Sequence, residues 1–375
     1  MGVFISLHYF ATGPGQELFR YLCEKGIDAA LWEIPFSFSA RDRCRLSVFQ
    51  GGKHWQYECK APKGPSVWRY WRELKLTKKA LALLREKGFE TNTYVGNGAF
   101  DTFAGVSEKI GNTVLFTIDY APKAQPFFLR GVYRALDKYV CERVSAVWNL
   151  SPRMQEAREK DHPGLKCRKV LTVPHGTHYS KLASVRKMPS DHEALVFMGH
   201  LKENSGVDLV LRSMSSLAER FPNISLTVAG TGPAEGELKK LADDLGLNER
   251  VKFTGFIESH EELEKIICSC AVGLALYNPE KDVFSYNADP GKPKVYLGCG
   301  LPVIITDVPL AAKEIEARGA GKIAAYDTGS LSDALSVILA DYGKFRAAAE
   351  AMGRDYDWDI IFEKALGDLW PKQAK

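Results

Sequence analysis

No uninterrupted apolar run in this chain approaches the ~20 residues needed to span a bilayer. No Cys-x-x-Cys pair occurs either. The eight cysteines stand at 23, 44, 59, 141, 167, 268, 270 and 299, with Cys268-Ser269-Cys270 the closest approach. That spacing argues against a zinc or dithiol centre and for reduced, mostly buried thiols. His192-Glu193 and His260-Glu261-Glu262 lack the second histidine one helical turn on, so no HExxH metal site is formed. Low-complexity tracts are missing as well. With 45% apolar and 26% charged residues, the composition is that of a folded globular chain. The start, MGVFISLHYF, lacks the basic lead and cleavage site of a signal peptide and reads as a strand. Gly2 could suggest myristoylation, but a buried strand right behind it argues otherwise.

What is present begins with length: 375 residues are enough for two cores. The net charge of +4 conceals an asymmetry. Residues 1–190 carry 30 Lys+Arg against 17 Asp+Glu, or +13, which leaves −9 for the rest. Such a contrast points to an anionic surface or ligand for the first half only; a membrane surface and an acidic substrate both fit.

Short β-rich apolar segments alternate with longer amphipathic ones. Strands are expected at VFISLHYF, TNTYVGN (91–97), TVLFTIDY (113–120), SAVWNL (145–150) and KVLTVPHG (169–176). Helices are expected at QELFRYLCEKG, over 127–144 and from Ser151. The polar stretch 177–193 is the linker candidate. The pattern then restarts with ALVFMGHL, a helix over 206–220, ISLTVAG, a helix at 234–246, VKFTGFI, AVGLALY and LPVIITD. Alternation of this kind implies βα units and parallel, doubly wound sheets, with ligands at the carboxyl ends of the strands. The expected domains are 1–185 and 190–355, with a C-terminal helix over 356–375 packing back on the first.

LVFMGHLKENSGVDLVLRSM (195–214), ISLTVAGTGPAEGELKKLADDLGLNERVKFTGFI (224–257) and DPGKPKVYLGCGLPVIITD (289–307) follow in order. In these segments the chain resembles the retaining GT-B enzymes of glycosyltransferase family four. The first half matches more softly, through Gly13-Pro14-Gly15, TIDYAPK (117–123), WNLSPRM (148–154) and VPHGTHYSKL (173–182). The resemblance implies a GT-B fold of two doubly wound, Rossmann-like α/β domains facing across a cleft. It also implies a donor substrate, a nucleotide diphosphate sugar, with no cofactor and no metal. Transfer would go with retention to a glycan or lipid-linked acceptor in cell-surface polysaccharide or glycolipid synthesis. The setting would be the cytoplasmic face of a membrane.

On that resemblance Gly255, Phe256 and Ile257 would lie beside the base, and Tyr296 near the ribose or phosphate. Lys292 matches the family's Pro-x-Lys lysine. The residues themselves point to the same place, because turns after strands present N–H groups and helix N-termini to a diphosphate. Gly13 and Gly15 open one such helix and Gly199 to Gly206 another, with His200, Lys202 and Lys292 as the neutralising cations. The chain departs from the family where its paired glutamates should stand, at Asn287 and Val295. That departure keeps open a second reading, an inactive GT-B module that binds a nucleotide sugar or a partner glycosyltransferase.

Asp119, at the end of a strand, either orients an acceptor hydroxyl as its base or caps the following turn. His8 either reaches the cleft or packs as a core histidine. Asp355, Asp357 and Asp359 imitate a metal-binding Asp-x-Asp, but their place before a helix suits capping. The run 54–79 interleaves Trp55, Trp68, Tyr70 and Trp71 with Lys63, Arg69, Arg72, Lys75, Lys78 and Lys79. Such a run suits an anionic membrane surface, or a helix with aromatic anchors and a solvated basic face. No nucleic-acid module accompanies it.

Overall fold

The computed structural model describes residues 2–9, 13–36, 42–62, 67–120, 122, 127–189, 191–280 and 285–370. Ala121, Lys123 and Lys63, named above, lie outside them. The chain divides into two compact units, Met1–Pro174 with Phe362–Lys375, and His175–Ile361.

Unit 1 is built on β1 (Gly2–Tyr9), β2 (Asp28–Pro35), β3 (Arg43–Gln50), β4 (Lys53–Lys60), β5 (Thr91–Asn97), β6 (Asn112–Thr117), β7 (Ala146–Asn149) and β8 (Val170–Thr172). They form one sheet in the order β4-β3-β2-β1-β5-β6-β7-β8. Helices α1 (Pro14–Glu24), α2 (Val67–Glu86), α3 (Ala99–Ser107), α4 (Phe127–Cys141) and α5 (Pro152–Asp161) alternate with them. Central β1 pairs in parallel with β2 and β5. Its Val3, Phe4, Ile5 and Leu7 are all buried, as a strand covered on both faces requires.

The sheet is not wholly parallel. β3 runs antiparallel to β2, and β4 to β3, so the run read as one piece over 54–79 is two elements. Residues 54–60 belong to edge strand β4, whose side chains are mostly exposed. Its polar alternation and terminal lysines suit a sheet edge, and without a continuous apolar stretch the strand is hidden from a search for buried ones. Only from Val67 does the run become helix. Arg69 is not on that helix's solvated face. It is buried, bonded to Glu73 and donating to the carbonyls of Pro35 and Pro62.

Unit 2 carries six parallel strands in the order β11-β10-β9-β12-β13-β14. They are β9 (Ala194–Met198), β10 (Ser225–Ala229), β11 (Val251–Gly255), β12 (Val272–Ala275), β13 (Val303–Ile305) and β14 (Gly321–Ile323). The connecting helices are α6 (Val207–Arg220), α7 (Glu235–Asp244), α8 (His260–Cys268), α9 (Gly291–Gly298), α10 (Ala311–Ala317), α11 (Thr328–Ala340) and α12 (Tyr342–Asp355). Phe197, Val228 and Leu274 of the sheet pack with Val210, Met214 and Leu335 of the helices in one apolar cluster. The last helix, α13 (Trp358–Leu369), begins in unit 2 and ends in unit 1.

The polar stretch 177–193 is packed into unit 2. Thr177 N–H donates to Tyr356 O at 2.9 Å, and Arg186 donates to Gly298 O at 2.9 Å. Asp357 caps α13: its two oxygens accept from the N–H groups of Asp359 and Ser180. Asp355 pairs with Arg318. Among the described residues, no helix is long and apolar enough to cross a membrane.

Candidate functional site

In unit 2 the ends of β9, β10 and β11 are laced together by backbone. Gly199 N–H donates to Ala229 O (2.8 Å), Leu201 N–H to Thr231 O (2.9 Å) and Gly230 N–H to Gly255 O (2.9 Å). Two glycines are required for this. Gly199 and Gly230 have φ of +129° and +144°, a region L side chains rarely enter. A Cβ on Gly230 would overlap the Gly199 carbonyl, and one on Gly199 would lie 2.7 Å from Lys292 Cε. Lys292 therefore lies against the β9 turn, in the first turn of α9, its Nζ 4.4 Å from the Phe197 ring centre.

His200, exposed beside them, meets Thr231 O through Nδ1 at 3.0 Å. A carbonyl only accepts, so Nδ1 carries the proton. Phe256 is 69% exposed just past Gly255, and Ile257 is half-buried. Lys202 is exposed on the same β9 loop. The structure thus gathers Lys292, His200, Gly255 and Phe256 on one set of strand ends. Thr231, which ties two of these loops together, had no sequence signal beyond its place in Gly-Thr-Gly.

Tyr296 is a correction. It is fully buried; its hydroxyl accepts from Met198 N–H at 2.8 Å and donates to Leu274 O at 3.2 Å. Rather than touching a ribose or phosphate, it fastens α9 to β9 and β12. Val295 and Asn287 offer no carboxylate. The nearby Asp289 is committed internally, accepting from His175 N–H at 2.7 Å and pairing with buried Lys294 at 3.4 Å.

In unit 1, His8 ends β1 between two carboxylates, with Nδ1 3.0 Å from Asp101 and Nε2 3.4 Å from Glu73. Burial alone would depress its pKa, but the carboxylates outweigh it and push it up to about 10. A histidine held charged has no lone pair for a proton, so of the two readings of His8 the packed one fits: it is a half-buried cation. Glu73 also binds Arg69 at 2.6 Å, closing a cluster of two cations and two carboxylates.

Asp119 follows β6 with an exposed surface, yet enough protein surrounds it to push its carboxyl above the ordinary value. It makes no hydrogen bond or ion pair among the described residues. Gly13 precedes α1 in an extended conformation with room for a side chain, whereas a Cβ on Gly15 would overlap Leu7. Gly15 therefore serves close helix–strand packing. Sequence reasoning also missed Arg158, fully buried, which binds Asp137, Asn149 and Thr117. A lone arginine in a polar helix gives no such signal.

These two Rossmann-like units constitute the GT-B fold of glycosyltransferases. Residues 192–341 match the family model of glycosyl transferases group 1. The whole chain is similar to sucrose-phosphate synthase from Thermosynechococcus elongatus, with a TM-score of 0.69, 18% identity and 98% of each chain covered. It is also similar to Anabaena HepE in complex with UDP, with a TM-score of 0.67, 13% identity and 98% and 99% of the two chains covered. Among curated relatives is the GDP-mannose-dependent alpha-(1-6)-phosphatidylinositol monomannoside mannosyltransferase of Mycolicibacterium smegmatis. It is 26% identical over 45% of this chain and 44% of that protein. The match spans only 44% to 62% of the length of the first curated relatives.

Proposed function

We propose that the protein transfers a sugar from a nucleotide diphosphate sugar to a glycan or lipid-linked acceptor, with retention at the anomeric carbon and without a metal. The observation that carries this is the laced turn of Gly199, Gly230 and Gly255 with Lys292 laid against it. The start of α9 and the Lys292 ammonium lie beside that turn, where a departing diphosphate would need stabilising. Lys202 and the Nε2 edge of His200 complete the polar side, and Phe256 offers an open ring to a base. Unit 1 would hold the acceptor, with Asp119, its carboxyl raised toward a useful proton affinity, facing the hydroxyl. UDP in the Anabaena structure and the phosphatidylinositol-based acceptor in the mycobacterial relative's name support the substrate classes.

Turnover with a panel of nucleotide sugars tests the reading. We expect it to persist in EDTA and to give a product with the donor's anomeric configuration by proton NMR. Loss restored by magnesium or manganese, or an inverted product, would overturn the respective half. The absence of carboxylates at 287 and 295 favours a second reading, a module that binds nucleotide sugar without transferring it. A donor-dependent rise in melting temperature with no turnover would establish that one.

We also propose that the protein sits peripherally on the cytoplasmic face of the membrane, through the +13 half. Arg72, Lys75 and Lys79 are exposed on α2, and each adds roughly 1 kcal/mol near an anionic leaflet, weakened by salt. Their joint replacement by glutamate is expected to abolish sedimentation with anionic vesicles and leave the melting temperature within a few degrees. Arg69→Glu, by contrast, is expected to unfold unit 1, because it buries a like charge beside Glu73. Equal sedimentation with neutral and anionic vesicles would count against the membrane role.

A further inference from the structure

Unit 1 holds a cavity of 230 Å³ between α2, α3 and α4, larger than the ~150 Å³ that admits benzene to an engineered apolar cavity. Its walls are Leu74, Phe103, Ala104 and Leu136, with Tyr70 stacked on Phe100 at 4.1 Å between ring centres. Its polar end is His8, Glu73 and Asp101. Those groups are already bonded to one another and to Arg69, cation for carboxylate. They ask no countercharge of a ligand, and an apolar group would need only to fill the space.

The surroundings of the mouth have the opposite character. Trp71, a lining residue, is 51% exposed; Trp68, one turn before it, is 71% exposed. On α4, Val132 and Tyr139 flank the lining Leu136 and are 54% and 41% exposed, and Tyr139 packs against Phe103. Cations stand among these rings. Lys75 Nζ is 3.3 Å from the Trp71 ring centre, and Arg143 lies over Tyr139 at 3.8 Å. Lys75 is exposed with no carboxylate partner among the described residues. The unpaired charge of Lys75 outside and apolar space inside fit an amphiphile with an anionic head.

We propose that this cavity takes the apolar chain of an anionic lipid whose phosphate is held at Lys75. The proposal supplies the lipid half of the acceptor in the reading above and rests on that reading only for what happens to the bound lipid. Its test needs no sugar donor. Binding of n-alkyl phosphates from butyl to decyl, each below its micelle concentration, is measured by calorimetry on the full chain. Affinity is expected to rise about fourfold per methylene and to level off once the cavity is full. Octyl phosphate should bind more tightly than octanol, with the gap closing at high salt. Leu136→Trp and, independently, Leu74→Phe fill the space and should flatten the series. Lys75→Glu should weaken the phosphates and leave the alcohols alone. Equal affinity for butyl and decyl phosphate, or a series unchanged in both filled variants, would overturn the proposal. A chain-length series with no sugar transfer would sink the proposed activity and leave the lipid site standing; transfer without the series would do the reverse.

Discussion

Lys292→Ala is expected to lower kcat/KM for the sugar donor by about 10²-fold while the far-ultraviolet spectrum and cooperative melt stay as they are. The size follows from removing one charge-stabilising group from a preorganised site, which costs roughly 10²–10³ in rate. The fold should survive because the half-buried side chain lies over Phe197 and along Gly199 and is not part of the apolar cluster that holds unit 2 together. Gly199→Ala is the companion. Its Cβ would meet Lys292 Cε at 2.7 Å and would force a φ of +129° on alanine. It should therefore lose activity as Lys292→Ala does and also lose about 1–3 kcal/mol of stability. Wild-type kinetics in a folded Lys292→Ala would remove the lysine from the site, and with it the observation that carries the proposed transfer.

Unit 2 was largely legible because its signals are local. Its β9, β10 and β11 are short runs ended by glycine, and they fall inside the predicted segments. The loop that carries His200 follows directly from the end of β9, while Lys292 stands in the first turn of α9, after β12. What could not be read was direction. Tyr296 has the right type and spacing for a ligand contact, yet its hydroxyl turns into the sheet and is saturated by Met198 and Leu274. Arg69 shows the same limit: its neighbours in sequence are basic and aromatic, while its partners, Pro35, Pro62 and Glu73, are set by how α2 crosses the sheet. The β3–β4 hairpin escaped because an edge strand needs no apolar continuity, only a partner already in place.

His8 carries the second large effect, and pH reveals it. Its folded-state pKa is about 10, against ~6.5 in an unfolded chain. A raised histidine contributes stability in full below pH 6.5 and loses it as the pH climbs toward 10. At roughly 1.4 kcal/mol per unit, and discounted for coupling within the cluster, the loss amounts to about 2–5 kcal/mol. Its partner does not shift the opposite way. Burial, opposed by His8, still leaves Asp101 above the ordinary carboxylate value. A raised aspartate also favours the folded state at low pH and ceases to do so as the pH rises through its pKa, so the two shifts lean in the same direction. Urea denaturation between pH 6 and 10 should accordingly show the native protein weakening steadily. His8→Gln, which keeps a hydrogen bond to Asp101 but cannot hold the charge, should be destabilised at pH 6 and nearly flat up to pH 8, above which buried thiols such as Cys44, pushed up to about 12, add a slope of their own. Asp101→Asn should flatten the profile too, by removing the larger of the two attractions that keep the imidazole charged. A wild-type profile without slope between pH 6.5 and 8, or a slope in that window that survives in His8→Gln, would show that the imidazole is neutral in the folded chain. His8 would then be able to accept a proton.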